Sequence, residues 1–180
     1  MRHYFFVTVI AMLFAVFGLF SCNAAAQASI KSSDQPLYEN HAYGFKVKLP
    51  PDVTYTWTVP PNPDHGFGLA LQGRGELWVD ASYTDSLSAA EEAKNQSSGC
   101  HVEERRSTKL GNRPAIALRF SCPAGVDGDA YKELLVLTVS RQGDRSPAVY
   151  QVAMRATTSE VLSQNKGLFD KIVAGFRFVL

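Results

Sequence analysis

"HAYGFKVKLP", residues 41–50, is a short stretch in which apolar side chains alternate with basic ones. In an extended chain Phe45, Val47 and Leu49 point to one side, and the two lysines between them point to the other. This period of two predicts a half-buried β-strand, which the prolines that follow bring to an end. The folded part of the chain is therefore expected to begin with a strand whose apolar face meets a core.

The first 28 residues have a different composition from the rest of the chain. Arg2 precedes an apolar run over residues 4–20, and no acidic residue occurs before Asp34. The run is just short of the roughly 20 residues that a membrane-spanning helix needs. A positive start, an apolar stretch and the small residues at 26–28 are typical of a secretory signal peptide. We therefore predict a signal peptide over residues 1–28.

A second way of processing the leader stays open. Residues 19–22, Leu-Phe-Ser-Cys, resemble a bacterial lipobox, in which Cys22 would be lipidated and become the first residue. Phe20 is bulkier than that motif usually holds, so ordinary cleavage after Ala28 is preferred. The predicted location is periplasmic or secreted, without a membrane span after cleavage. An outer-membrane lipoprotein with a lipid anchor is the alternative.

The chain after the leader has the size of one domain. Residues 29–40 are polar and predict a flexible N-terminal arm, and residues 41–180 predict a single domain. The whole chain has a formal net charge of +1, which becomes zero when Arg2 leaves with the leader. A neutral chain without a run of basic residues argues against nucleic acid as a partner and against an electrostatic membrane patch.

Removal of the leader leaves an even pair of cysteines, Cys100 and Cys122. In an oxidising compartment such a pair predicts a disulfide. A structural zinc site usually needs four ligands at short spacing, which two distant cysteines do not supply. The alternative, two free buried thiols, requires that the chain is not exported.

A hairpin register explains how these two cysteines meet. Gly111-Asn112 is a turn signal between two strands. If Lys109 and Arg113 close a three-residue loop over residues 110–112, then Cys100 stands directly opposite Cys122. The same register pairs Val102 with Phe120, Glu103 with Arg119 and Glu104 with Leu118.

The remaining pattern predicts a strand-rich chain with two helices. Ser88 and Glu91 have capping-box spacing before the first helix, and Thr157 and Glu160 have it before the second. Phe176 and Phe178 alternate with smaller or charged residues, so a buried closing strand near the first strand is expected. The predicted strands after residue 50 cover residues 53–59, 67–71, 76–83, 100–110, 113–122, 131–141 and 148–157.

This order of elements resembles the PsbP-like family over residues 38–180. The resemblance is carried by Gly44-Phe45, Pro50 and the closing Gly175-Phe176-Arg177-Phe178. The family includes the photosystem extrinsic subunit PsbP, a yeast Ran-binding import factor and exported bacterial proteins or lipoproteins. The resemblance implies an α+β fold, an α/β/α sandwich with a central antiparallel sheet. It also implies binding of, or assistance to, other proteins, but no partner-binding residue carries over.

Motifs for catalysis or metal binding are weak. The sequence has no G-x-S-x-G, and both mature cysteines are predicted to be oxidised. Asp64 and His65 could act as acid and base, but they lie in a proline-rich turn where a solvated role is favoured. Asp127-Gly128-Asp129 lacks the further acids of a calcium loop and is interpreted as a turn. We predict no catalytic residue, metal or cofactor.

The two tryptophans are interpreted differently. Trp57 shares a predicted face with Val53 and Val59, which indicates the core. Trp78 shares its face with Glu76 and Asp80, so it is a candidate anchor for a partner. The competing interpretation, which is favoured in a three-layer sandwich, is that a helix covers this face and Trp78 packs beneath it.

Together these features predict a non-enzymatic exported protein that binds another protein of the bacterial envelope. One alternative is a periplasmic immunity protein against a toxin, which an acidic or aromatic concave patch would indicate. The other is an envelope hydrolase with a dispersed site that uses residues such as Asp64 and His65. A deep pocket lined by His65 and two acids would indicate the enzyme.

Overall fold

The structure, a computed structural model, describes residues 36–62, 64–124, 128–141 and 145–179. The predictions for the leader, for Cys22 and for Asp127 lie outside these residues. Within the described ranges, no helix has the length and apolar character that crossing a membrane requires.

All strands pair antiparallel and form two sheets. The elements are β1 (Leu37–Asn40), β2 (Phe45–Lys48), β3 (Trp57–Val59), β4 (Gly66–Leu71), β5 (Gly75–Tyr83), α1 (Ala89–Gln96), β6 (His101–Leu110), β7 (Arg113–Cys122), β8 (Tyr131–Ser140), β9 (Ala148–Ala156), α2 (Ser159–Gly175) and β10 (Phe176–Phe178). Among the described residues, the larger sheet has seven strands in the order β3-β4-β5-β9-β8-β7-β6, and the smaller has three in the order β1-β2-β10.

The large sheet lies between two unequal layers. On one face, α2 and the small sheet cover a core that contains the inward residues of β4, β5, β8 and β9. On the other face, α1 packs over β7 and β8, with Ala93 at the centre of a second cluster. Two helical layers around a central antiparallel sheet confirm the predicted α+β class.

The stretch at 41–50 forms the middle strand of the small sheet. Phe45 and Val47 are fully buried, as the alternation predicts, and β1 and β10 flank this strand on its two sides. Phe176 is also fully buried, and its ring stacks on that of Phe45 with the centroids 4.9 Å apart. Phe178 is half-buried beneath the guanidinium of Arg113. The closing strand thus lies beside the first core strand, as expected.

The predicted flexible arm over residues 29–40 is wrong for its last four residues. Residues 37–40 form β1, in which Tyr38 and Asn40 are buried while Leu37 and Glu39 face outward. The Tyr38 hydroxyl donates a hydrogen bond of 2.5 Å to the carbonyl oxygen of Asn62. Polar composition is a poor guide here because a strand at the edge of a sheet needs to bury only every second side chain.

The predicted strand over residues 53–59 shortens to β3, and one of its face assignments is wrong. Trp57 lies opposite Leu69 and is half-buried against the core, as predicted. Val59 lies opposite Gly68 and is 50% exposed, because the register shifts between Trp57 and Val59. This irregularity turns Val59 to the opposite face of the sheet.

The helices begin close to the predicted caps. The Ser88 hydroxyl accepts a hydrogen bond of 3.2 Å from the backbone N–H of Glu91, as a capping box requires. The second helix begins one residue later than predicted, because Thr158 rather than Thr157 is its N-cap. The Thr158 hydroxyl accepts from the backbone N–H of Val161 at 3.4 Å.

Strands β6 and β7 form a hairpin whose turn differs from the predicted one. Leu110 pairs with Arg113, so the loop has two residues rather than three. Gly111 has a φ of 61°, which glycine adopts without strain at the first position of a tight hairpin turn. The pairs displaced by one residue from the predicted register include Glu104 with Arg119 and Arg105 with Leu118.

A β-bulge restores the predicted register at the open end of this hairpin. Regular pairing breaks between Val102 and Glu104, so Glu103 is the extra residue and its predicted pairing with Arg119 is wrong. Beyond the bulge, Val102 lies opposite Phe120 as predicted. Cys100 and Cys122 follow, with their Cα atoms 4.4 Å apart, and are joined by the predicted disulfide.

Two glycines of α2 provide a matched test of this packing. A Cβ on Gly175 would lie 2.3 Å from the carbonyl oxygen of Lys48, whereas a Cβ on Gly167 would meet nothing within 4 Å. We expect Gly167→Ala to stabilise the fold by about 0.5–1 kcal/mol, because alanine loses less backbone entropy in a helix. We expect Gly175→Ala to destabilise it by about 1–3 kcal/mol, because α2 must move away from β2.

Urea unfolding of both variants and the parent measures this difference directly. Equal effects of the two substitutions would contradict the close approach of α2 to the carbonyl of Lys48.

Candidate functional site

One part of the large sheet is left uncovered by the helices. α1 covers β7 and β8, but the outward faces of β4, β5 and the neighbouring end of β9 remain open. Along β5, Leu77 and Val79 are fully buried, whereas Glu76, Trp78 and Asp80 face outward and are half-buried. The face assignment made from the sequence for Trp78 is therefore confirmed.

Two adjoining concavities of about 330 and 320 Å³ lie on this open face. Both are lined by Glu76 and Arg155, so they meet at these two side chains. We call the two concavities together the Trp78 groove. Its charged, histidine and aromatic side chains, Phe67 apart, are His65, Arg74, Glu76, Trp78, Asp80, Asp129, Tyr131 and Arg155.

Arg155 occupies the centre of the Trp78 groove. Its guanidinium carbon lies 3.9 Å from the ring centroid of Tyr131 and 5.1 Å from that of Trp78. Its Nε and Nη2 atoms both donate to Oε2 of Glu133, each at 2.9 Å. The arginine is thus held by two aromatic rings and one carboxylate, while 44% of its side chain stays exposed.

Glu133 lies beneath this arginine and is almost fully buried, with 3% of its surface exposed. Burial raises the pKa of its carboxyl, and the neighbouring Arg155 guanidinium lowers it, with a net rise above the ordinary value. The ionised carboxylate therefore depends on Arg155 for its stability inside the sheet.

Removing this cation is expected to give a pH-dependent loss of stability. Arg155→Ala should lower the free energy of unfolding by about 1–3 kcal/mol near neutral pH, because Glu133 keeps its charge without a partner. The pKa of Glu133 is already raised, and without Arg155 it rises further. In Arg155→Ala, protonated Glu133 is therefore tolerated in the folded state at acidic pH. The variant loses stability as the pH rises through the folded-state pKa of Glu133 and this carboxyl ionises.

The deficit of Arg155→Ala should accordingly shrink as the pH falls from neutral towards the ordinary glutamate value of 4.5. Urea unfolding at several pH values measures this. Arg106→Ala is the matched control, because its ion pair with Glu104 is exposed on both sides and should contribute less than about 1 kcal/mol. A deficit that does not change with pH would contradict the role given to Glu133.

Two glycines of β4 lie beside the outward residues of β5, and Gly66 is the one that lines the groove. Gly66 lies opposite Asp80, and Gly68 lies opposite Trp78. A Cβ on Gly68 would stand 2.5 Å from the hydroxyl of Thr58, which donates a short hydrogen bond to Glu76 across this position. The absence of a side chain at Gly68 therefore lets Thr58 reach and hold Glu76.

Asp64 and His65 do not act together as the sequence allowed. Both are exposed in the turn before β4, and the backbone N–H of Asp64 donates to the side chain of Asn62. His65 lines one end of the groove together with Glu76 and Asp80. Burial raises the pKa of Asp80, and the nearby His65 opposes that rise. The acid that accompanies His65 is thus Asp80.

This end of the groove offers an acid–base pair without a hydroxyl or thiol nucleophile. The described residues that line it include no serine, threonine or cysteine. In the described ranges, no three His, Cys, Asp or Glu side chains are grouped closely enough to hold a metal ion. The arrangement could bind a cation or polarise a bound water molecule.

Sequence reasoning found Trp78 but missed Tyr131, Glu133 and Arg155. One signal was present, because Glu133 directly precedes the apolar run from Leu134 in a strand that is otherwise buried. A charge at such a position usually has a partner, but the sequence does not say which strand supplies it. The partner is on β9, which pairs with β8 in the register that sets Glu133 opposite Arg155.

Both interpretations of Trp78 describe part of its surroundings. One side of the residue packs against the cluster beneath α1, and the other lines the open groove. α1 therefore covers only part of the Trp78 side chain. An anchoring role for Trp78 remains a prediction.

The fold is similar to that of LpqN, a protein involved in cell envelope biogenesis of Mycobacterium tuberculosis. The two superpose with a TM-score of 0.55 at 16% sequence identity, over 82% of this chain and 91% of LpqN. At this identity the likeness shows the fold alone. No family model matches the chain, and no curated protein matches it by sequence.

Two looser matches are the Ran-binding protein Mog1p of Saccharomyces cerevisiae and the cyanobacterial PsbP of Synechocystis sp. PCC 6803. Mog1p gives a TM-score of 0.49 at 12% identity, over 82% of this chain and 97% of its own. The cyanobacterial PsbP gives 0.46 at 15%, over 89% and 98%. The matches thus include a PsbP, as the resemblance to the PsbP-like family predicts, and at these TM-scores the two superpositions carry no argument about this chain.

Proposed function

We propose that this chain is a non-enzymatic binding or accessory protein of the bacterial envelope, and that it contacts a protein partner through the Trp78 groove. The observation that carries this proposal is the cluster of Trp78, Arg155 and Tyr131 on the uncovered face of the sheet. Tryptophan, tyrosine and arginine are the residue types most enriched at the energetic centres of protein interfaces.

The construction of the cluster supports a role in binding. Arg155 is held in place by Glu133 and by the two rings before any partner arrives. A side chain that is already ordered loses little further conformational entropy in a complex. The half-buried Trp78 keeps apolar surface available beside it, which a partner could cover.

Two observations support the envelope as the location. The first 28 residues have the pattern of a signal peptide, and the disulfide between Cys100 and Cys122 fits an oxidising compartment. LpqN, which has a similar fold, is a protein of cell envelope biogenesis.

Affinity capture from the organism's own envelope extract tests the proposal. The parent protein should retain a specific protein that Trp78→Ala loses. Leu87→Ala is the matched control, because Leu87 is a large apolar residue with 77% exposure that does not line the groove. Thermal unfolding of each variant confirms that the fold is intact. Equal capture by the parent and by folded Trp78→Ala would refute the proposed site.

An immunity protein against a toxin is a narrower form of the same proposal. The Trp78 groove is concave, aromatic and lined by the acids Glu76 and Asp80. This is the kind of surface that we expect of an immunity protein. The identity of the captured protein separates the two, because a toxin whose activity falls on binding would favour the inhibitor.

A hydrolase is the second candidate function, because His65 lines the groove with the two acids Glu76 and Asp80. The described lining at this end has no hydroxyl or thiol nucleophile, which favours binding over hydrolysis of the serine or cysteine type. We expect purified protein to show no turnover of peptide, ester or glycan substrates. Turnover that disappears in His65→Ala would favour the enzyme instead.

A further inference from the structure

We infer that the partner of the Trp78 groove presents a lysine or arginine side chain, which lies against Asp80 with its aliphatic part on Trp78. This inference rests on the proposed function and specifies the chemistry of the partner. It follows from the charges on three successive cross-strand rows of the open face.

The first row has one more acid than it has bases. Glu76 on β5 lies directly opposite Arg155 on β9, and Arg155 lies opposite Glu133 on β8. One guanidinium therefore stands between two carboxylates. Its Nε and Nη2 atoms both bond Glu133, while Glu76 accepts its hydrogen bond from Thr58. The arginine is thus committed to the buried acid, and Glu76 keeps part of its negative field.

The middle row is apolar. Trp78 lies between Gly68 on β4 and Ala153 on β9, and Leu135 follows on β8. Thr58 and Glu76 reach over Gly68 on one side of Trp78, and the part of the indole that stays exposed lines the cavity. Its exposed surface is therefore available to an aliphatic or aromatic group of a partner.

In the third row, the carboxylate of Asp80 has no basic residue directly opposite it on either neighbouring strand. Asp80 lies between Gly66 on β4 and Gln151 on β9. The side-chain oxygen Oε1 of Gln151 accepts a hydrogen bond from the side-chain amide of Gln96. Burial holds the pKa of Asp80 above its ordinary value, against the opposing effects of a hydrogen bond from the Ala81 backbone and of His65 in the turn before β4. This acid is already partly desolvated and lies in a row without a cation.

A basic side chain complements this arrangement. Side chains two residues apart on one strand are about 7 Å apart, which the extended stem of a lysine or arginine can span. The stem would lie along Trp78, and the charged end would reach Asp80 within the cavity that both residues line. A neutral or acidic partner would bury Asp80 further without any compensating charge, which is unfavourable.

Intrinsic fluorescence provides a direct test, since the chain contains only two tryptophans. In a Trp57→Phe background, Trp78 is the single indole reporter. The probe is the peptide acetyl-Gly-Ala-Arg-Ala-Gly-amide, compared with the same peptide carrying citrulline, a neutral isostere of arginine. We expect a saturable change in Trp78 emission with the arginine peptide at concentrations up to about 20 mM, and none with the citrulline peptide.

Asp80→Asn in the same background should weaken binding of the arginine peptide about tenfold. Glu104→Gln, which removes an exposed acid on β6, is the control and should leave binding unchanged. Equal responses to both peptides, no response to either, or an unaltered affinity in Asp80→Asn would each overturn the inference.

The outcome is separable from that of the proposed function. If envelope capture depends on Trp78 but the arginine peptide does not bind, the groove is still a protein-binding site and only the basic side chain is wrong. If the arginine peptide binds through Asp80 and capture does not depend on Trp78, the inference about the cation holds and the proposed protein interface fails.

Discussion

Replacing Phe176 by alanine should lower the free energy of unfolding by about 3–5 kcal/mol, the range for truncating a buried phenylalanine. Phe176 is fully buried, and its ring lies 4.9 Å from Phe45 and 5.3 Å from Phe178. The small sheet and α2 meet at this residue, so a cavity here cannot close without moving both. Urea unfolding followed by fluorescence measures the loss.

Val179→Ala is the control for this prediction. Val179 is 47% exposed and follows Phe178 directly, and the hydrogen bond that it donates to Gly44 comes from its backbone. We expect a change of less than about 0.5 kcal/mol. Deletion of residues 175–180 should leave little soluble protein. A truncated chain that melts at the parent temperature would contradict the closing role of β10.

Replacing both Cys100 and Cys122 by serine should cost roughly 3 kcal/mol in the chain-entropy account of disulfides. The bond closes a loop with a sequence separation of 22 residues, and it ties the open end of the β6–β7 hairpin. The cost will be smaller if the hairpin persists in the unfolded chain. Urea unfolding of the double variant measures it.

The parent protein under reducing conditions is the matched control for this variant. It should unfold at the same urea concentration as the double serine variant, because both lack the same covalent link. Peptide mapping of natively exported protein without reduction should recover the two cysteine peptides joined. Two alkylatable thiols in that material would contradict the disulfide.

The hairpin that holds this bond shows what sequence patterns can predict. The cysteine pair and Val102 opposite Phe120 are confirmed, although the predicted turn was one residue too long. The two-residue turn moves the register by one place, and the bulge at Glu103 moves it back. Covalent and apolar constraints at the open end were visible in the sequence. The bulge was not, because an extra residue in an exposed edge strand leaves no apolar signature.

The groove was only partly predictable for a similar reason. Alternation along β5 placed Trp78 between Glu76 and Asp80 on one face, since a strand with one buried face fixes that pattern. Tyr131, Glu133 and Arg155 come from two other strands, and only tertiary pairing brings them to Trp78. Short-range patterns therefore predict faces, whereas the composition of a site depends on strand order.

The pairing of Val47 with Phe176 has a consequence for the rate of folding. β2 receives one of its two neighbours from nearby β1 and the other from β10, which lies far along the chain at Phe176–Phe178. Contacts between such distant segments must overcome loop-closure entropy before they stabilise anything, so chains rich in them fold in milliseconds to seconds rather than microseconds. The small sheet cannot close until β10 has reached β2 across this separation. Until then Phe45 and Val47 remain accessible to chaperones.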